Sequence, residues 1–119
     1  MRKVILDTNA LLMPFQFSMN LDAEVRALLG DFQGYVPGPV LGELRRCTDK
    51  HAKAAMALAR KYTLYETSIQ GDAGIIVAAK DLQATVVTND ERLRARLRKE
   101  GIQCVSLRSR KRLHFEDDI

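Results

Sequence analysis

Short apolar runs alternate along this chain with stretches whose apolar residues recur at helical spacing. Val4, Ile5 and Leu6 form a run too short for a buried helix, and its β-branched start suits a central strand over residues 3–7. Asp7 ends that run, and Thr8, Asn9 and residues 10–13 read as a polar turn into a short helix. A loop over 14–19 follows, with Phe15, Phe17 and Met19 as candidates for contact with a partner. Asn20 is a predicted N-cap, and Asp22 and Glu24 complement the dipole of the first turn. Leu21, Val25, Leu28 and Leu29 give the stripe of an amphipathic helix that Gly30 stops. Residues 34–37 read as a strand. Gly38 and Pro39 open a helix to residue 48, with Val40, Leu44 and Cys47 on one face and Glu43 set among them.

Residues 51–61 are Ala-rich and apolar nearly all round, as in a helix sandwiched between elements or between subunits. A strand over 62–66, a helix over 71–80, a buried strand over 84–87, a helix over 91–100 and a strand over 102–107 continue the alternation. An edge strand over 113–115 precedes an acidic tail. This order predicts a three-layer α/β/α sandwich around a central, mostly parallel sheet of about five strands. No repeat, linker or low-complexity segment interrupts it, so residues 1–119 are expected to form a single domain.

Composition narrows the picture. With 119 residues and 46% apolar content, the chain can bury a core and is not globally disordered. The apolar run after Lys3 is too short for a signal-peptide core, and no stretch approaches a membrane span. Cys47 and Cys104 lie far apart, with no zinc or redox spacing, which predicts reduced thiols and a cytoplasmic location. Net charge is +4, and nine of the 19 Lys and Arg residues fall between Arg92 and Arg112. That concentration points to a polyanionic partner, with Arg92, Arg96, Lys99, Arg108 and Arg110 as candidate contacts.

The acids change the picture most. Asp7 and Asp90 each follow a predicted strand, Asp72 starts the helix after the 62–66 strand, and Glu43 lies early in the helix after the 34–37 strand. Each alone is a plausible helix cap or dipole partner. In a parallel sheet, however, all four strand-to-helix junctions meet at one edge, where ligands bind. Clustered carboxylates repel one another unless a cation neutralises them. All-oxygen donors select a hard ion, Mg²⁺ or Mn²⁺, which suits hydrolysis of a phosphodiester, with the basic segments holding the nucleic-acid backbone.

The sequence blocks Val-Ile-Leu-Asp7-Thr-Asn, Val-Leu-Gly-Glu43-Leu, Gly-Asp72-Ala-Gly-Ile-Ile and Val-Val-Thr-Asn-Asp90 resemble, in order and spacing, the four acidic motifs of PIN-domain ribonucleases. The resemblance implies a parallel sheet with the acids at one edge. It also implies an Mg²⁺- or Mn²⁺-dependent endoribonuclease with Asp7, Glu43, Asp72 and Asp90 as ligands. Asn9 and Thr88 match positions that support such a cluster by hydrogen bonds, and Thr8 shapes the turn that presents Asp7. Two departures leave the number of ions open: Ala73 and Arg92 stand where many relatives carry further acids.

Within that family two roles compete. One is a VapC-type toxin paired with an antitoxin protein and cutting tRNA, rRNA or mRNA. The other is a nuclease resembling those of small-subunit rRNA processing, to which the residues 13–17 and 92–98 are more similar. A homodimer is expected from the Ala-rich helix and the aromatic loop. Haloacid-dehalogenase-type phosphoryl transfer wants a second Asp where Asn9 stands, and a response-regulator receiver wants an acidic pair and a Lys where only Asp7 and Arg108 occur. The alternative from another class is a catalytically inactive PIN-like module that binds RNA or protein.

Overall fold

The computed structural model describes residues 1–108 and 112–115. In chain order these form β1 (Arg2–Leu6), α1 (Thr8–Gln16), α2 (Leu21–Leu29), β2 (Phe32–Pro37), α3 (Gly38–Arg46), α4 (Ala52–Ala59), β3 (Thr63–Tyr65), α5 (Gly71–Leu82), β4 (Thr85–Val87), α6 (Glu91–Lys99), β5 (Cys104–Arg108) and β6 (Arg112–Phe115). One sheet takes the order β3-β2-β1-β4-β5-β6. The first five strands run parallel, with Val4 opposite both Gly34 and Thr85, and β6 closes the edge antiparallel to β5. The expected α/β/α sandwich is therefore present, with one strand more than five.

Strand order dictates where the helices go. From β1 the chain steps outward to β2 and β3, then crosses back over β1 to β4 and β5. Right-handed crossovers send the helices of the first leg to one face and those of the second to the other. Accordingly α1, α3 and α4 pack on one another, while α5 lies on β1, β2 and β4 and α6 lies on β5. An ion pair between Lys80 and Glu100 ties α5 to α6. β1, covered on both faces, buries Val4, Ile5 and Leu6 completely, which is why it reads as an unbroken apolar run. The winding reverses between β1 and β4, so their carboxyl ends open into a crevice.

Two expectations need correction. The helix after Asp7 does not stop at residue 13 but runs through Pro14 to Gln16. Pro14 lacks the amide that would bond back, yet it lies in the last turns, and burial of Leu11, Leu12 and Met13 holds the helix together. Phe15, Phe17 and Met19 pack partly buried against the core instead of forming an exposed loop, and Phe15 stacks on His51 at 6.3 Å between ring centres. The Ala-rich helix buries Ala52, Ala55 and Ala59 and packs on α1 and α3, which is the sandwiching between elements that its pattern allowed. The acidic tail and Arg110 lie outside the described residues. No helix among the described residues is long and apolar enough to cross a membrane.

Gly74 seats the start of α5 against the segment before it. A Cβ there would stand 2.1 Å from the carbonyl oxygen of Ile69, a backbone atom that cannot swing away. Gly74→Ala is expected to cost about 2 kcal/mol by overpacking, read as a lower urea midpoint at unchanged slope. A midpoint equal to wild type would mean that this junction is not packed as described.

Candidate active site at the carboxyl edge of the sheet

Asp7 and Asp90 flank the crevice, and both are helix caps. Asp7 Oδ1 accepts the amide of Ala10 at 2.8 Å and so starts α1. Asp90 Oδ1 accepts the amides of Arg92 and Leu93 at 2.9 and 3.1 Å and so starts α6. Capping uses one oxygen of each carboxylate and leaves the second to face other partners. The capping explanation and the binding explanation are thus compatible, because the cap fixes the carboxylate's direction.

A hydrogen-bonded frame joins the two caps. The Thr88 hydroxyl bonds to the Asp7 carboxylate and also accepts the amide of Asp90 at 3.1 Å. Asn9 Oδ1 accepts the amide of Asn89 at 2.9 Å, and Asn89 Oδ1 accepts the amide of Leu107 at 2.7 Å. β1, β4 and β5 are thereby held together at the edge that carries the acids. Thr8 donates from Oγ1 to Glu43 Oε2 at 3.1 Å, which brings the third acid to the start of α1. Thr8 and Thr88 thus hydrogen-bond to acids of this edge, and Asn9 to the turn that leads to Asp90. Asn89, which the sequence did not single out, is the link to β5; its only trace is that Asp7-Thr8-Asn9 and Thr88-Asn89-Asp90 are built from the same three residue types.

The electrostatics centre on Asp7. Its carboxyl is buried, and its pKa is pushed up from 3.8 to about 7. Desolvation is the main cause, and the charges of Asp90 and Glu43 add to it, against the lowering effect of the Thr88 and Ala10 bonds. Glu43 itself is exposed. Its place among the apolar positions of α3 needs correction: it lies at the edge of that face, where α1 brings a hydroxyl against it.

Asp72 has a different neighbour. Its Oδ2 lies 3.8 Å from Nη1 of Arg96, so a cation of α6 faces it. The structure therefore brings Asp90 and Glu43 close enough for their charges to act on Asp7, and it sets Asp72 opposite Arg96. Arg92 and Lys99 are exposed on α6, and Arg108 is exposed at the end of β5. Among the described residues no three His, Cys, Asp or Glu side chains converge closely enough to form a ready metal cage.

A parallel sheet with carboxylates framed at its switch point is the architecture of a PIN-type nuclease domain. The chain belongs to that family: the model of the PIN like domain matches residues 4–110. It is 30% identical to Ribonuclease VapC4 of Methanocaldococcus jannaschii, over 98% of this chain and 96% of the relative. The fold superposes on the PIN domain endonuclease Utp24 with a TM-score of 0.81 at 22% identity, covering 96% of this chain and 90% of that one. A domain of a functionally unknown protein from Methanocaldococcus jannaschii gives a TM-score of 0.64 at 16% identity, covering 92% and 93%. A ribonuclease among its relatives supports nuclease activity for this chain.

A raised carboxyl pKa makes stability fall with rising pH, because the folded state holds the proton more tightly. The contribution of Asp7 is full below pH 3.8, declines up to about pH 7, and is flat above. Asp7→Asn keeps the cap and removes the buried charge. It is expected to stabilise the metal-free protein at pH 8 by on the order of 2 kcal/mol and to flatten the pH 4–7 slope. Thermal melts across that range check this, and parallel pH profiles for the two proteins would contradict it.

Proposed function

We propose that this chain is a divalent-metal-dependent endoribonuclease that hydrolyses RNA phosphodiester bonds at the β1–β4 crevice. The observation that carries the proposal is the burial of Asp7 beside Asp90 and Glu43, a concentration of negative charge that folding alone would not favour. The donor set fits a hard cation. The converging side chains offer only oxygens, and Mg²⁺ or Mn²⁺ keeps several waters while taking one or two carboxylates, so a closed cage is not required. Asp7 and Asp90 would hold the ion, with Glu43 beside them; Asp72 enters the set on its place at a strand-to-helix junction and on the resemblance. A bound ion would polarise the phosphoryl group and lower the pKa of a water.

The protein's own groups do the rest. The two caps orient the carboxylates before any ligand arrives, which avoids reorganisation during the reaction. Glu43, exposed and hydrogen-bonded to Thr8, is able to accept a proton from an attacking water. Arg92, at the start of α6, and Arg108, at the end of β5, lie at the acid-bearing edge and would offer positive charge to the RNA backbone, whereas Lys99 stands at the far end of α6. Arg96, 3.8 Å from Asp72 and exposed, is available for the same task. In a VapC-type role the protein would also bind a small antitoxin; in an RNA-processing role the substrate would be structured rRNA. A homodimer and a cytoplasmic location complete the proposal.

Two measurements test it. A mixed RNA panel with Mg²⁺ or Mn²⁺ is expected to be cut by the wild type and at least about 100-fold more slowly by Asp7→Asn or Asp90→Asn. Equal rates would remove catalysis from this rim and leave the RNA- or protein-binding module as the better account. Millimolar Mn²⁺ is expected to raise the melting temperature of the wild type by mass action, with a smaller rise for Asp7→Asn. Equal shifts would place metal binding elsewhere.

A further inference from the structure

The α6 cations serve one flank of the rim only. On the other face of the sheet, α3 leads away from Glu43 into a groove of about 410 Å³ between α3 and α4. Arg45, Lys50, Lys53 and Arg60 line it over an apolar floor that includes Leu44 and Met56. Its single acid, Asp49, is already engaged: Oδ1 accepts the amide of His51 at 2.7 Å, and Oδ2 accepts the side-chain amide of Gln16 at 2.8 Å. None of the four cations holds an ion pair among the described residues. Arg46 adds a fifth charge between rim and groove. Its guanidinium lies back along α3, 3.3 Å from where a Cβ on Gly42 would stand.

Like charges gathered around a concave surface repel one another and call for an anion. We propose that the α3–α4 groove binds the phosphate backbone of single-stranded RNA, continuing the strand whose scissile phosphate lies at the carboxylate rim. This rests on the nuclease reading. A polyanion that reaches Asp7, Asp90 and Glu43 meets carboxylates there, so its neighbouring phosphates need cations on both flanks. α6 supplies one flank, and α3 runs without a break from Glu43 to the other. That continuity favours RNA over an acidic protein segment, which has no cause to span the rim. The apolar floor accepts an unstacked base or ribose, a surface that a duplex would keep inside.

The test uses the full chain carrying Asp7→Asn, so that binding is read without cleavage, and labelled oligo-uridine of about 6 and about 20 nucleotides. Adding Lys53→Gln and Arg60→Gln, both at exposed side chains, is expected to weaken the longer oligonucleotide about 10-fold. It should also lower the slope of log K against log salt by about 1.4, roughly 0.7 per lost contact. The short oligonucleotide should change little. Each single substitution should give about half the slope change, which guards against a misfolded double variant. A control with Arg2→Gln and Lys3→Gln, removing equal charge at the opposite edge of the sheet, should leave both values in place. Equal losses in groove and control variants would mean a net-charge effect and overturn the proposal. An unchanged RNA slope, with lost affinity for oligo-glutamate, would overturn it in favour of a protein partner. Because the readout is binding by an inactive protein, a wild type that cuts no RNA would end the nuclease reading without deciding the groove.

Discussion

The rim depends on keeping the carboxyl group of Asp7 out of water at the point where the chain reverses its winding. β1 is central and covered on both faces, so the residue that ends it emerges between two helical layers rather than at the surface. Burial raises its pKa to about 7, and Asp90 and Glu43 push in the same direction. An isolated acid in that position would simply stay protonated. The Thr88 hydroxyl and the Ala10 amide oppose this by bonding to the ionised form, so the group is held near the balance between its two states. A carboxyl near balance at neutral pH releases its proton easily when positive charge arrives.

Capping makes that arrangement possible at low cost. A helix start needs an acceptor for its free amides, and Asp7 and Asp90 supply one at α1 and α6. The same bonds fix the orientation of each carboxylate at the edge of the sheet. Structural and chemical demands therefore fall on one side chain, and the usual opposition between stability and function is softened at these two positions. Asp7 carries the residual cost, because its charge is buried while that of Asp90 is exposed.

Much of this was legible in the sequence because strands and helices alternate with clear periodicity, and an acid at a strand-to-helix junction can be placed at one sheet edge without knowing any distance. The run Val4, Ile5, Leu6 followed by Asp7 and the run Val86, Val87 followed by Thr88, Asn89 and Asp90 carried that inference. What was not legible depends on lateral packing. Pro14 reads as a stop, yet buried neighbours carry α1 past it. Glu43 reads as a buried acid by helical spacing, yet Thr8 of a neighbouring helix meets it at the surface. Asp72 has the same local signature as Asp90, yet Arg96 lies opposite it, a pairing across 24 residues that no local pattern encodes. Asn89 escaped for the same reason, since its bond to Leu107 exists only once β4 and β5 are side by side.

The distribution of charge gives these details a common logic. The acids sit on the line where the two helical layers part, and cations sit on both layers: α6 on one, α3 and α4 on the other. Pairing acids with cations within the chain would have cancelled this separation, and at Asp72 and Arg96 it partly does, at the loose distance of 3.8 Å between two partly exposed groups. Such a pair contributes little and is readily exchanged. Elsewhere the separation persists among the described residues: Asp7 bonds to a hydroxyl and an amide, Glu43 to a hydroxyl, and the groove arginines and lysines form no ion pair with an acid. A negative line between two positive banks is the charge pattern that the proposed cation and the proposed phosphate chain would complement.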